Sequence, residues 1–166
     1  LNTNDSTATM PAGTVFNTTV DDVSFQFSTI QSFTKSNTGN SIPFVGVDIF
    51  EGTFITTRYT VDTSDIDQRF LLTDNRADTS TLIVKVQTSS TDSTSTTFTE
   101  ATDITQVTAG SNVFFLQEVE AGLFEVYFGD GVIGTALSDD NIVILTYVVS
   151  NKLSLIHISE PTRLST

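Results

Sequence analysis

The stretch that decides the fold runs from Val23 to Ser28 and reads Val-Ser-Phe-Gln-Phe-Ser, with apolar and small polar side chains in alternation. Successive side chains of a β-strand point to opposite faces of a sheet, so this period of two predicts a strand with one buried face. The same period recurs in residues 55–61 and 82–87, and no stretch keeps a helical period. We therefore predict an all-β protein with antiparallel strands in a meander or sandwich-like arrangement and little helix.

Residues 45–49 and 68–72 are two further strand candidates, and Glu51-Gly52 predicts a tight connection into the strand that follows. Residues 88–97 are almost wholly Ser and Thr, with one Asp. This composition is typical either of a flexible linker between domains or of a solvated hairpin loop. We favour the hairpin loop.

The last third of the β-rich region has the clearest strand pattern. Residues 113–119 and 123–128 predict two strands separated by Glu-Ala-Gly. Residues 142–149 are apolar on both faces, which is typical of a central strand or of a strand covered by a partner. Because a solvated edge of this kind invites aggregation, we expect the strand to lie in the interior or in an interface.

Composition and charge restrict the classes of function. The 166 residues suffice for one ordinary domain, and Ser and Thr, about 29% of them, suit the wet face of strands. The net charge of −13 disfavours binding to nucleic acid or to anionic membranes, and it suits docking against basic patches on a partner protein. With no cysteine, the chain has neither a disulfide framework nor a thiolate zinc site.

The two ends of the sequence indicate a fragment with a foreign tail. The chain begins with Leu1 rather than Met, and we expect it to be part of a longer gene product. Residues 153–163 read Leu-Ser-Leu-Ile-His-Ile-Ser-Glu-Pro-Thr-Arg, which resembles the in-frame translation of a transposase adapter used to prepare sequencing libraries. We therefore divide the chain into a β-rich part, residues 1–152, and a non-native tail, residues 153–166, which contains the only histidine, His157.

The remaining residues do not predict catalysis. Without a native His or Cys, the chain can build neither a Ser-His-Asp triad nor a Cys-His pair. A glycosidase needs only two carboxylates, but most carboxylates here fall in turns flanked by Asn, Gly or Ser, where solvent keeps their pKa values near normal. We predict that the chain is not an enzyme and needs no cofactor.

Calcium is the better chemical alternative. Residues 21–22, 62–67 and 139–141 are rich in oxygen ligands, but residues 62–67 lack the Gly and the terminal Glu of a helix-flanked calcium loop. We favour solvated turns whose Asp and Asn side chains bond nearby backbone. We therefore predict no metal site and no large rise in melting temperature when calcium is added.

Residues 128–134 read Phe-Gly-Asp-Gly-Val-Ile-Gly and form the sharpest motif in the sequence. As a phosphate cradle it lacks the following Lys and helix. Asp-Gly after an alternating strand instead predicts a tight turn, because both residues tolerate positive φ, and Gly134 permits a second reversal. The residues that we assign to this structural motif are Phe128, Gly129, Asp130, Gly131, Gly134 and Asn141.

A family resemblance rests on this motif and on the segments around it. The segments are residues 114–119, 125–134, 136–139 and 141–147, with 11–16, 49–52 and 78–82 upstream. They resemble the baseplate wedge protein of T-even-type contractile-tailed bacteriophages and the related baseplate J-like proteins. Asp140 stands where the family pattern has Gly, but Asp tolerates positive φ better than most residues.

The resemblance implies a structural virion protein, a baseplate wedge subunit involved in tail assembly and sheath-contraction signalling. It implies a place in the phage tail baseplate after assembly in the host cytoplasm. The implied partners are other wedge subunits and a second copy of the chain, as a homodimer, with no catalysis. The alternative is an acidic, Ser/Thr-rich β adhesin or surface domain with calcium-binding loops.

Overall fold

The alternating segments of the sequence fold into β-strands. The structure, a computed structural model, describes residues 6–39 and 41–150. In that part of the chain the predicted all-β class is confirmed, and helix is confined to two single-turn 3-10 segments, Ile104–Gln106 and Glu120–Gly122. None of the helical segments there is long and apolar enough to cross a membrane. The strands are β1 Thr7–Met10, β2 Val15–Val20, β3 Val23–Ser28, β4 Phe33–Ser36, β5 Phe50–Glu51, β6 Thr53–Thr60, β7 Phe70–Leu72, β8 Ala77–Gln87, β9 Ser95–Glu100, β10 Val113–Glu118, β11 Phe124–Phe128 and β12 Ile142–Val149.

Seven strands form one sheet in the order β6-β12-β8-β9-β10-β11-β7. Neighbouring strands are antiparallel except β9 and β10, which run parallel through the pairs Val113–Thr99 and Phe114–Glu100. Residues 101–112 connect these two strands, and a connection of about a dozen residues is what a parallel pair requires. The sheet is therefore mainly antiparallel, with one parallel step at its centre.

This sheet curls until its two edge strands meet, so that it forms a nearly closed barrel. The side-chain amide of Gln68, which precedes β7, donates a 2.8 Å hydrogen bond to the carbonyl oxygen of Thr60 at the end of β6. The rings of Tyr59 and Phe70 contact edge to face, with centroids 5.7 Å apart. Curling in this way removes most of the free sheet edge, where strands of other molecules could pair.

The interior of the barrel is filled by alternate residues of its strands. The inward-facing Val143, Leu145 and Tyr147 of β12 are fully buried. Each fully buried aliphatic or aromatic side chain stabilises the fold by about 1.5–3 kcal/mol. The core consists of Val61, Leu72, Val84, Val86, Phe98, Phe114, Val126, Val143, Leu145, Tyr147 and Val149.

The prediction that residues 142–149 form an interior strand is confirmed. β12 lies between β6 and β8 and pairs with both along its length. Ile142 and Val148, which point to the outer face, are also buried. The apolar character of both faces thus reflects a central strand that is covered on its outer side by other parts of the same chain.

Two small sheets complete the described part of the chain, namely β2-β3-β5 and β1-β4. β2 and β3 form a hairpin through the two-residue turn Asp21-Asp22, in which φ is 50° at Asp21 and 63° at Asp22. Positive φ at both positions is the conformation that fits the right-handed twist of a hairpin. Gly52 alone separates β5 from β6, with φ of 128°, so the predicted tight connection is found at Gly52, whereas Glu51 belongs to β5.

Two local predictions differ from the structure. Residues 45–49 do not form a strand, and only Phe50–Glu51 pairs with β3. The reason is the backbone turn at Gly46, where φ is 66°, which interrupts the alternating run before it meets a partner.

The loop predicted at residues 88–97 does form a hairpin between β8 and β9, but it ends earlier, because residues 95–97 already pair with β8. The tail predicted at residues 153–166, with His157, lies outside the described residues.

Candidate functional site

The predicted Phe-Gly-Asp-Gly motif forms the loop that follows β11. One carboxylate oxygen of Asp130 accepts hydrogen bonds from the N–H groups of Val132 and Ile133, both at 2.9 Å, and these bonds lower the pKa of Asp130. The N–H of Gly131 donates to the carbonyl oxygen of Gly134 at 3.1 Å. Positive φ occurs at Gly131 and Gly134 and not at Asp130, so the expected positive φ at Asp130 is wrong. Its side chain stabilises the turn instead, by accepting two backbone donors.

The glycines of the motif are required by close backbone contacts. A Cβ atom at Gly129 would overlap the carbonyl oxygen of Ile133, on the other side of the loop. The N–H of Gly134 donates to the carbonyl oxygen of Thr108, and a Cβ atom there would lie 3.1 Å from a methyl of Val113. The loop is therefore folded on itself and held against the start of β10. Its backbone groups bind each other, which is the structural role that the sequence predicts for this motif.

Phe128 joins the motif to the core. Its ring contacts Phe70 of β7 and Phe98 of β9 edge to face, with centroid distances of 5.6 and 5.4 Å. Pairs of this geometry add about 0.5–1.5 kcal/mol beyond the area they bury. Because Phe128 directly precedes the glycine loop, its packing fixes where that loop leaves the barrel.

Asn141 makes a separate set of contacts, at the start of β12. Its side-chain oxygen accepts from the N–H of Ser138, and its side-chain nitrogen donates to the carbonyl oxygen of Thr88, both at 2.9 Å. Its backbone carbonyl accepts from the N–H of Val61 at 2.8 Å. Asn141 therefore connects the loops before β9 and after β6 to the beginning of β12. The neighbouring Asp140 has φ of 62°, a conformation that Asp tolerates better than most residues.

Two of the three acidic clusters, residues 62–67 and 139–141, bond to nearby backbone and hydroxyl groups, as predicted. Asp62 accepts from the N–H and the hydroxyl of Ser64, at 2.9 and 2.6 Å, and these bonds lower its pKa. Asp139 reaches across from the other cluster and accepts from the N–H of Thr63 at 2.9 Å. The described residues contain no group of three or more His, Cys, Asp or Glu side chains that could hold a metal ion. The insensitivity of melting temperature to calcium stays a prediction.

Arg69 and Glu125 form an ion pair that the sequence did not reveal. Nε and Nη2 of Arg69 lie 2.8 and 2.5 Å from the same carboxylate oxygen of Glu125. The Glu125 side chain is only 4% exposed, whereas that of Arg69 is 51% exposed. The hydrogen bonds from Arg69 lower the pKa of Glu125 and keep it ionised. Two chain segments that lie far apart in sequence build this pair, and no local pattern marks it.

The pKa values of several carboxyl groups are shifted in the direction opposite to the shift that a general acid needs. A carboxylic acid that donates a proton near neutral pH needs a raised pKa. The carboxyl groups whose pKa departs from the usual value are all lowered, chiefly by hydrogen bonds from Ser, Thr, Arg or backbone donors. These groups are Asp62, Asp74, Asp92, Asp103, Glu125 and Asp130. Their arrangement stabilises turns and two ion pairs, Arg69–Glu125 and Arg76–Asp74.

An open groove of about 710 Å³ lies between residues 30–32 and the outer face of β8 and β12. Its walls include Phe54, Ile83 and Ile144, together with Lys85 and several Ser, Thr and Gln side chains. The Ser, Thr and Gln side chains among them can donate and accept hydrogen bonds. The groove shows where the N-terminal part of the chain lies over the outer surface of the barrel.

Comparisons with known proteins assign no family. No protein-family model matches the chain, and a search of curated proteins finds no match.

Proposed function

We propose that this chain is a structural virion protein, a subunit of the baseplate wedge in a contractile-tailed phage. The observation that carries the proposal is the Phe-Gly-Asp-Gly loop with its following Asn141. The residues on which the resemblance to the wedge family rests are also the ones whose hydrogen bonds and close contacts shape the backbone in this region. Gly129 permits a close contact across the loop, Asp130 binds two N–H groups, and Asn141 bonds to Thr88 and Ser138.

The proposed role is assembly rather than catalysis. A nearly closed barrel with a dense core can transmit force without unfolding locally, because cooperative packing resists local opening. The proposed partners are other wedge subunits and a second copy of the chain, without nucleic acid, membrane or cofactor. The net charge of −13 supports docking onto basic partner surfaces and disfavours contact with the packaged genome.

Localisation in the virion tests the proposal. Antibodies raised against the folded chain should label the baseplate end of purified phage particles in electron micrographs. Mass spectrometry should also find the protein in those particles. Its copy number should be a multiple of six, because the proposed baseplate has six wedges. Label on the host surface with none on particles would contradict the proposal and favour the adhesin alternative. Tail-tube, sheath and wedge genes beside the gene for this chain would give independent support.

A further inference from the structure

One face of the β2–β3 hairpin is apolar and only partly covered. Cross-strand partners point to the same face of a sheet, and the pairs Phe16–Phe27, Thr18–Phe25 and Val20–Val23 share one face of this hairpin. Phe16 is 38% exposed, and Val20 and Val23 are each 53% exposed. None of these side chains belongs to the barrel core. The hairpin therefore presents apolar side chains that the described residues leave partly in solvent.

The same hairpin has an open edge. Within residues 6–39 and 41–150, β2 pairs with β3 alone, and each of its residues is exposed. In a hairpin with a two-residue turn, Val20 and Val23 are the first hydrogen-bonded pair, and bonded and non-bonded pairs then alternate. The N–H and C=O groups of Val15, Asn17 and Thr19 consequently point away from β3. The hydrogen bonds on the other side of β3 agree with this alternation. Gln26 is the cross-strand partner of Asn17, and its carbonyl oxygen points away from β2 and accepts the N–H of Gly52 at 2.8 Å.

The charged residues of the β2-β3-β5 sheet and its hairpin turn are all acidic. Asp21 and Asp22 form the hairpin turn, and Glu51 lies directly beside Phe27 in the neighbouring strand. No Lys or Arg occurs between residues 11 and 34. A second copy of the chain docked here would bring acidic groups against acidic groups, which disfavours association. A partner with Lys or Arg side chains at its rim would find complementary charge.

We propose that β2 is a docking edge for an extended segment of a basic partner protein. The segment would add a strand beside β2, bind the outward N–H and C=O groups of Val15, Asn17 and Thr19, and lay alternate apolar side chains over Phe16 and Val20. Its Lys or Arg residues would lie near Asp21 and Asp22 at the hairpin turn. This inference rests on the proposed structural role, because it names the surface through which a wedge partner would bind.

A designed peptide tests the docking edge in solution. The probe is a fluorescent, end-capped nonapeptide of alternating Lys and Val, and fluorescence anisotropy measures its binding to the full chain at about 0.15 M salt. We expect saturable binding, and about tenfold weaker binding to the variant Asn17→Pro, which removes an outward N–H without changing charge. The same peptide with Glu in place of Lys should bind about tenfold more weakly than the Lys peptide.

Two further variants keep the test decisive if Asn17→Pro perturbs the hairpin. Phe16→Thr with Val20→Thr should weaken peptide binding, whereas Val132→Thr with Ile133→Thr, exposed apolar residues elsewhere, should leave it unchanged. In the peptide complex, amide hydrogen exchange should slow at Val15, Asn17 and Thr19. Absent binding, or equal binding to all variants, would overturn the proposal. So would a homodimer that Asn17→Pro dissociates. These measurements use no phage particles, so their failure is distinguishable from a failure of the virion assignment.

Discussion

The phenol oxygen of Tyr59 donates a 2.7 Å hydrogen bond to the carbonyl oxygen of Leu71 and so joins the two edge strands of the seven-stranded sheet. Together with the hydrogen bond from Gln68 to Thr60, it closes the barrel between β6 and β7, which form no backbone ladder in the described part of the chain. Partial burial raises the pKa of the Tyr59 phenol, because the charged form would lose hydration. With β6 and β7 thus brought together, β2 remains as an open strand edge, which is why it is the edge that we propose for docking.

Substituting Tyr59→Phe should lower the free energy of unfolding at pH 7 by about 1 kcal/mol, the usual contribution of one such hydrogen bond. The pKa of Tyr59 is raised in the folded state, so its contribution is present below the ordinary value of 10.0 and is lost as pH rises through the folded value. The stability difference between the two proteins should therefore shrink in strong alkali. Urea unfolding at pH 7 and at increasing alkaline pH measures it, and a pH-independent difference would contradict the linkage.

The ion pair of Arg69 and Glu125 should make stability depend on acid. Because Arg69 lowers the pKa of Glu125, the pair contributes stability above the unfolded pKa, near 4.5, and loses it as pH falls through the folded value. Arg69→Gln should therefore lower the melting temperature more at pH 7 than at pH 3. Arg76→Gln is the matched control, because its partner Asp74 is more exposed and solvent screens that pair. Equal effects of the two variants would argue against a special role for Glu125.

The core should respond far more strongly than the loop that replaces the predicted strand at residues 45–49. Leu145 is fully buried, so Leu145→Ala should cost about 2–5 kcal/mol of stability. Val45 is 71% exposed, and Val45→Ala should change stability by less than about 0.5 kcal/mol. Chemical denaturation of both variants checks the pair. A large loss at Val45 would restore the interpretation of residues 45–49 as a packed strand.

Strand positions followed from the sequence wherever alternation coincided with a partner strand. The alternation at residues 82–87 and the doubly apolar run at residues 142–149 predicted β8 and β12, because burial forces such patterns. Residues 45–49 alternate equally well, yet Gly46 turns the chain and only Phe50–Glu51 finds a partner. The strand order and the parallel step of β9 and β10 depend on the path of loops, and alternation carries no information about that path.

The local turn chemistry was predictable, and the contacts between distant segments were not. The Asp-Gly of the motif predicted a turn, although the sequence could not tell that Asp130 would contribute its carboxylate rather than a positive φ. Glu125 looks like an ordinary outward residue of an alternating strand. Its burial depends on Arg69, which approaches from another part of the chain. Such pairs form only when the two strands, here β11 and β7, become neighbours in the sheet, and an alignment of related sequences is what could reveal them in advance.

Asn141 is the motif residue with the most specific side-chain contacts. Asn141→Ala would leave the N–H of Ser138 and the carbonyl of Thr88 without these partners, both at 2.9 Å. We expect a loss of about 1–3 kcal/mol, the sum of two modest hydrogen bonds near the surface. Asn141→Asp is the informative control, because its oxygen can still accept from Ser138 but it cannot donate to Thr88. Its loss should be intermediate, and an Asn141→Ala variant of unchanged stability would show that the contacts carry no free energy.

Asp140 offers the sharpest test of the link between the family pattern and the backbone. Its φ of 62° is a conformation that most residues adopt only at a cost, and the proposed family resemblance leads us to expect Gly at this place. Asp140→Gly relieves that cost but gives the unfolded chain more freedom, so stability should rise by no more than about 1 kcal/mol. Asp140→Val cannot adopt positive φ easily and should lose about 1–2 kcal/mol. Equilibrium unfolding of the two variants measures both changes. If Asp140→Gly loses more than about 1 kcal/mol, the Asp140 side chain itself carries a stabilising contact, and the turn here differs from the one that the family pattern implies.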